Sequence, residues 1–272
     1  MRSLVPFVLL SALALGGCPS EPPPVAREVA SSPVSAAPLP PPSAPVLLHL
    51  EEDAGLTEPR NEPAPVASAS GSPPISPRIC RVAALGDSLT DYRSGGGGYL
   101  RILEKRSPES EFVNFGKGGD MVNQMRKRFE AEIAGEPPAR FTHLIVFGGV
   151  NDLYSDETAG RTNSRIERDL SAIYERAHAR GWRVVAVTVA PWGGFARWFT
   201  PRRGAATKAL NAWIANGPAD AVVDAYALLS CGDPERLCPD YTPPFKDGLH
   251  FGKKGHEALG EALHRAEFER CR

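Results

Sequence analysis

The stretch Arg81-Val82-Ala83-Ala84-Leu85-Gly86-Asp87-Ser88-Leu89-Thr90 decides the fold class. Residues 82–85 are apolar without alternation, as in a strand buried on both faces. Gly86-Asp87-Ser88-Leu89 follows at once, so a serine is delivered where the strand ends and a loop begins. In open parallel α/β sheets, ligands bind in the crevice at the carboxyl ends of the strands, where loops converge on a rigid frame. A serine after a strand is also an ordinary helix cap, so the tetrapeptide alone establishes no chemistry.

Working outward, apolar runs alternate with amphipathic stretches, the pattern of a parallel α/β sheet with helices on its faces. Strands are expected at 79–85, 111–115, 143–147, 183–189 and 221–224, and helices at about 98–105, 121–133, 161–180, 204–215 and 254–268. The clearest helix carries Ile166, Leu170, Ile173 and Ala177 on one face and is followed by Gly181, a helix stop. No internal repeat is evident.

Three further segments stand near strand ends in chain order. They are Asn114-Phe115-Gly116-Lys117-Gly118-Gly119-Asp120, Gly149-Val150-Asn151-Asp152 and Asp247-Gly248-Leu249-His250. Together with Gly86-Asp87-Ser88-Leu89, this series resembles the sequence blocks of the SGNH/GDSL hydrolase family, across nearly all of the chain after residue 78. Thr90 stands where the G-x-S-x-G elbow of the larger α/β-hydrolases has its last glycine, which argues against that fold. The resemblance implies a three-layer flavodoxin-like fold with a five-stranded parallel sheet in the order 2-1-3-4-5.

A serine is a weak nucleophile until a base takes its proton, and the base must itself be held. Asp247 and His250, three residues apart on one turn, supply that couple for Ser88, giving a Ser88, Asp247, His250 triad. The other histidines, His49, His143, His178, His256 and His264, lack such a partner spacing and read as structural or solvated. The resemblance also implies an oxyanion hole formed by the backbone N–H groups of Ser88 and Gly119 and the side-chain amide of Asn151. The reaction implied is hydrolysis of a carboxylic ester through an acyl-enzyme, needing no metal or organic cofactor.

Composition divides the chain. Of its 27 prolines, 16 lie within residues 19–78, a stretch also rich in Ala and Ser that has no sustained apolar period. It cannot bury enough surface to offset ordering entropy and is expected to be a disordered tether, extending to roughly 180 Å at about 3.1 Å per residue. Residues 79–272 suffice for one domain. The net charge of −1 gives no concentrated basic face, which excludes nucleic acid as an expected partner. Arg197, Arg202 and Arg203 form a local cluster that reads as a solvated loop.

Arg2, the apolar stretch 4–15 and Leu15-Gly16-Gly17-Cys18 have the layout of an export signal with a bacterial lipobox. Residues 1–17 are expected to be removed and Cys18 to carry a lipid that holds an exported, monomeric protein to a membrane. The remaining cysteines are expected to pair as Cys231 with Cys238 and Cys80 with Cys271, since an even count in an exported chain favours disulfides and no metal spacing is present.

Substrate signals are sparser. The loop 191–199 should overhang the same sheet edge as Ser88. Its Trp192 and Trp198 could contact an acyl group or sugar, with Arg197 meeting an anion, or could pack the loop against the domain. The expected substrate is a short-acyl or carbohydrate O-acyl ester. The alternatives are a lipase or lysophospholipase acting on longer chains, and a tethered binding module without activity.

Overall fold

The computed structural model describes residues 78–272, so the expected signal segment, Cys18 and the tether lie outside the described residues. Strand β1, Arg81–Gly86, is the hinge of the architecture: Val82 to Leu85 are wholly buried. It is followed by α1 (Gly98–Arg106), β2 (Glu111–Gly116), α2 (Val122–Arg128), β3 (His143–Phe147) and α3 (Val150–Tyr154). Then come α4 (Asp156–Ala159), α5 (Asn163–His178), β4 (Arg183–Val187), α6 (Pro201–Asn216), β5 (Ala221–Val223), α7 (Ala225–Leu228), β6 (Ser230–Cys231), β7 (Asp233–Leu237) and α8 (Lys253–Leu263). The main sheet is parallel with order β2-β1-β3-β4-β5, as the resemblance implied.

Alternation along each strand divides the core into two layers. Ala83, Leu85, Leu144 and Val146 face α2, α5 and α6 through Met125, Leu170 and Leu210. Val82, Ala84, Ile145 and Phe147 face α1 and α8 through Leu100, Leu103 and Leu259. Both faces are therefore covered, which is why these strands are continuously apolar in sequence.

The five expected helices are present and differ at their ends, and three short ones, α3, α4 and α7, were not expected. α5 starts at Asn163, not 161, because the Arg161 side chain turns inward to Asp152 and Asp169. α6 starts earlier, at Pro201, where Thr200 caps the Arg203 N–H and proline occupies the first turn. The helical stretches beginning at Val122 and Lys253 each finish in one π turn, Phe129–Ile133 and His264–Phe268. The β6–β7 hairpin was not anticipated from sequence; the Cys231–Cys238 disulfide closes it. The second expected disulfide, Cys80–Cys271, joins the two ends of the described domain across 191 residues. No helix among the described residues is long and apolar enough to cross a membrane.

Candidate active site

The sheet order makes β1 and β3 central, and their carboxyl ends open toward one cleft. After β1 the chain turns sharply, with Thr90 and Asp91 N–H both donating to the Asp87 carbonyl. The Asp87 carboxylate accepts from Leu89 N–H at 2.9 Å and is wholly buried beneath the turn. Ser88 is thereby held at the cleft floor. Asn114 ties β2 to this turn by donating to the Thr90 carbonyl at 2.6 Å, while its own carbonyl accepts from Gly116 N–H at 2.8 Å. A Cβ on Gly116 would collide with the Asp91 backbone, so the two loops meet only through glycine.

The segment before α8 supplies the other side. His250 Nε2 lies 2.9 Å from Ser88 Oγ, and His250 Nδ1 lies 2.7 Å from Asp247 Oδ2. Asp247 Oδ1 accepts from the N–H groups of Leu249 and His250, each at 2.9 Å. Burial pushes the Asp247 carboxyl up, but the N–H donors and the imidazole outweigh it, so the group is held below the usual carboxylate range. Gly248, at φ +76°, presses directly on the Gly194 backbone and couples this turn to the loop after β4.

The three expected N–H donors come from the ends of β1, β2 and β3. Gly119 has φ +81°, and nothing lies within 4 Å of where its Cβ would stand, so its backbone faces open space. Among the described residues, neither Ser88 nor Gly119 N–H has an acceptor. Asn151, at the start of α3, donates to the Asp120 carbonyl at 2.9 Å, leaving one amide proton less firmly engaged, 3.4 Å from Asp87 Oδ2. Beneath these groups Asp87 lies in a cluster with Asp152 and Asp120. Burial first, and then those two carboxylates, push its pKa up to about 7. Arg161 pairs with Asp152 and Arg128 with Asp120, each at 2.6 Å.

The cleft, about 680 Å³, is lined beside these residues by Tyr154, Phe195, Phe245 and Lys117. Trp192 is not among them, which corrects its assignment as a substrate contact. It is wholly buried, its Nε1–H donates to Thr207 Oγ1 at 2.9 Å, and its ring stands edge-on to Phe199 at 4.9 Å. Trp198 is exposed but sits outside the lining, 6.2 Å from Tyr154, with Arg197 stacked on it at 5.1 Å. The solvated-loop reading of the arginine cluster also fails for Arg203, which is buried, bonds the Trp198 carbonyl and pairs with Asp156 at 2.7 Å. Phe195 lies in the loop already singled out. Tyr154, one turn beyond Asn151, and Phe245, two residues before Asp247, carried no signal apart from those neighbours. Among the described residues no cluster of His, Cys, Asp and Glu could hold a metal ion.

Residues 84–258 match the GDSL-like Lipase/Acylhydrolase family. No curated protein matches the chain in sequence. A GDSL-like lipase from Bacteroides thetaiotaomicron VPI-5482 is similar in structure, with TM-score 0.52, 21% identity and coverage of 68% of this chain and 86% of that one. The lipase/acylhydrolase from Enterococcus faecalis has TM-score 0.53 and 20% identity, covering 69% and 94%. The acetyl xylan esterase AlAXEase has TM-score 0.53 and 18% identity, covering 68% and 98%.

Proposed function

This chain belongs to the GDSL-like Lipase/Acylhydrolase family and is an ester hydrolase, and on that premise we propose that it is a serine esterase acting on short-acyl or carbohydrate O-acyl esters. The observation that carries the mechanism is the single imidazole of His250, within hydrogen-bond reach of Ser88 Oγ on one side and Asp247 on the other. Ser88 Oγ attacks the ester carbonyl carbon as its proton passes to His250 Nε2. The C=O π pair moves onto oxygen, and the oxyanion is met by the N–H groups of Ser88 and Gly119 and the amide of Asn151. Collapse breaks the C–O bond, and His250 gives its proton to the departing alcohol. The same ring then takes a proton from water as the water oxygen attacks the acyl carbon, and gives it to Ser88 Oγ as the acyl–Oγ bond breaks, releasing the acid and the free serine.

An open cleft edged by Tyr154, Phe195 and Phe245, rather than a deep apolar tunnel, favours a small acyl group. The acetyl xylan esterase among the structural neighbours supports the same class. The purified full chain should hydrolyse p-nitrophenyl acetate and acetylated polysaccharide in preference to a long-chain ester. Ser88→Ala should lose roughly 10⁴-fold or more in kcat. Retained activity in that variant would defeat the assignment, and preference for the long chain would favour a lipase.

The same proposal places the enzyme outside the cytoplasm, held to a membrane by a lipid on Cys18 through the Pro-rich segment. Its two disulfides fit an oxidising compartment. Cys18→Ser should move the protein from the membrane fraction to the soluble fraction; unchanged membrane retention would remove the anchor.

A further inference from the structure

In the loop 117–120, three of the four backbone N–H groups have acceptors. Lys117 donates to the Gly86 carbonyl at 3.1 Å, Gly118 to Asp91 Oδ2 at 3.0 Å and Asp120 to the Lys117 carbonyl at 3.3 Å. Gly119 lines the cleft, and its N–H has no acceptor among the described residues. Successive N–H groups in a turn can aim together at one anion. Here the Asp91 carboxylate takes the first of the pair, and the backbone at Gly119, with φ +81°, turns away from it into open space.

Asp91 stands where the turn carrying Ser88 meets the loop carrying Gly119. It precedes one 3₁₀ turn, Tyr92–Ser94, and lines the cleft with Ser88. Its Oδ1 accepts from Arg93 N–H at 2.9 Å, and its Oδ2 accepts from the Ser94 hydroxyl at 2.9 Å as well as from Gly118 N–H. Burial pushes the carboxyl up, but these donors outweigh it and hold the group below the usual carboxylate range, so it is ionised at neutral pH. A Cβ on Gly118 would stand 2.5 Å from Ser94 Oγ and 3.4 Å from Asp91 Oδ2, so glycine lets the loop close on the carboxylate. Asn114 and the Lys117 N–H hold the root of this loop to the β1 turn, and Asp91 holds its tip.

We propose that Asp91 is a positioning residue for ester hydrolysis: by holding Gly118 N–H it keeps Gly119 N–H aimed at the oxyanion. The inference rests on the esterase reading of Ser88 and deepens it. Asp91 touches no reacting atom in this role. The sign of its effect separates positioning from charge. A carboxylate beside the cleft repels the negative charge that develops on the carbonyl oxygen, so on charge alone its removal would speed the reaction. Positioning demands the reverse, because a donor displaced by about 1 Å no longer meets the oxyanion well, and that contact exists only once the charge has formed. The loss therefore falls on kcat and spares KM.

The test compares the full-length wild type with Asp91→Ala and Asp91→Asn on p-nitrophenyl acetate, and measures the affinity of each for benzeneboronic acid. Ser88 Oγ adds to that boron as its proton passes to His250, leaving a tetrahedral anion that reports on the oxyanion donors. Asp91→Ala should lower kcat by about 10- to 100-fold with KM within about twofold, and should weaken the boronic acid by a similar factor. Asp91→Asn, which keeps a side-chain oxygen for Gly118 N–H without the charge, should recover most of both losses. A kcat that is unchanged or raised in Asp91→Ala, a loss seen in KM alone, an Asn variant as impaired as the Ala variant, or an unchanged boronic acid affinity would each overturn the positioning role. If Asp91→Ala does not fold, Gly118→Ala decides, since it opens the same contact from the other side and should give the same loss in kcat and in boronic acid affinity. Activity that survives Ser88→Ala defeats the esterase reading itself, a result separate from any of these.

Discussion

Asp247 shows how far a single side chain can set the behaviour of its neighbour. Its carboxyl is held below the ordinary range, so it remains ionised through the acid side of neutrality and keeps Nδ1–H of His250 pointed at it. Asp247→Asn should keep the fold and lose about 10²–10⁴-fold in kcat, by presenting the wrong tautomer to Ser88; an unchanged kcat would remove the third member of the couple. Asp87 lies at the opposite extreme. Its folded-state pKa of about 7 exceeds the ordinary value of 3.8, so the native state holds the proton more tightly than the unfolded chain. The contribution of this group is fully present below about pH 4 and is lost as pH rises toward 7. Asp87→Asn retains an acceptor for Leu89 N–H. Its melting temperature should therefore gain on the wild type between about pH 4 and 7, and a pH-independent difference would show that Asp87 is already ionised in the fold.

At the scale of elements, the candidate active site depends on loops that touch through backbone. Gly248 at φ +76° meets Gly194 so closely that any side chain must separate the two loops. Gly248→Ala should displace Asp247 and His250 from Ser88 and lower kcat/KM by about 10²-fold, measurable against far-UV circular dichroism that stays native. The buried Arg161 works similarly between elements, joining Asp152 on α3 to Asp169 on α5. Arg161→Met leaves those carboxylates without their shared cation, and a cost of about 3–5 kcal/mol is expected in urea unfolding. Trp192, tied to Thr207 on α6, fixes the loop after β4 from beneath, so that Phe195 rather than the tryptophan reaches the cleft.

Across the whole molecule the two disulfides do unequal work. Closing 191 residues removes more freedom from the unfolded chain than closing 7, roughly 5 against 2 kcal/mol on the chain-entropy account. Cys80→Ala/Cys271→Ala should lower the melting temperature by more than Cys231→Ala/Cys238→Ala; the reverse order would show that the hairpin, not the domain closure, limits stability. The Cys80–Cys271 link lies beside Arg78, whose N–H donates to the Arg270 carbonyl, at the end of the sheet opposite the cleft. The disulfide and the candidate active site thus lie at opposite ends of the same sheet.

The sequence by itself determined the sheet, its two helical layers and the positions of Ser88, Asp247 and His250, because these depend on local pattern. Continuous apolar runs mean strands covered on both faces, and an aspartate three residues before a histidine can hold it within one turn. The two cysteine pairs were legible for a related reason, as one closes a short loop and the other joins the ends of the domain. Only the tertiary structure decided that Trp192 is core, that Arg203 is buried against Asp156, and that Tyr154 and Phe245 edge the cleft. Those properties depend on which distant segments meet, and an aromatic or an arginine in a loop carries the same letter whether it faces solvent, substrate or another side chain.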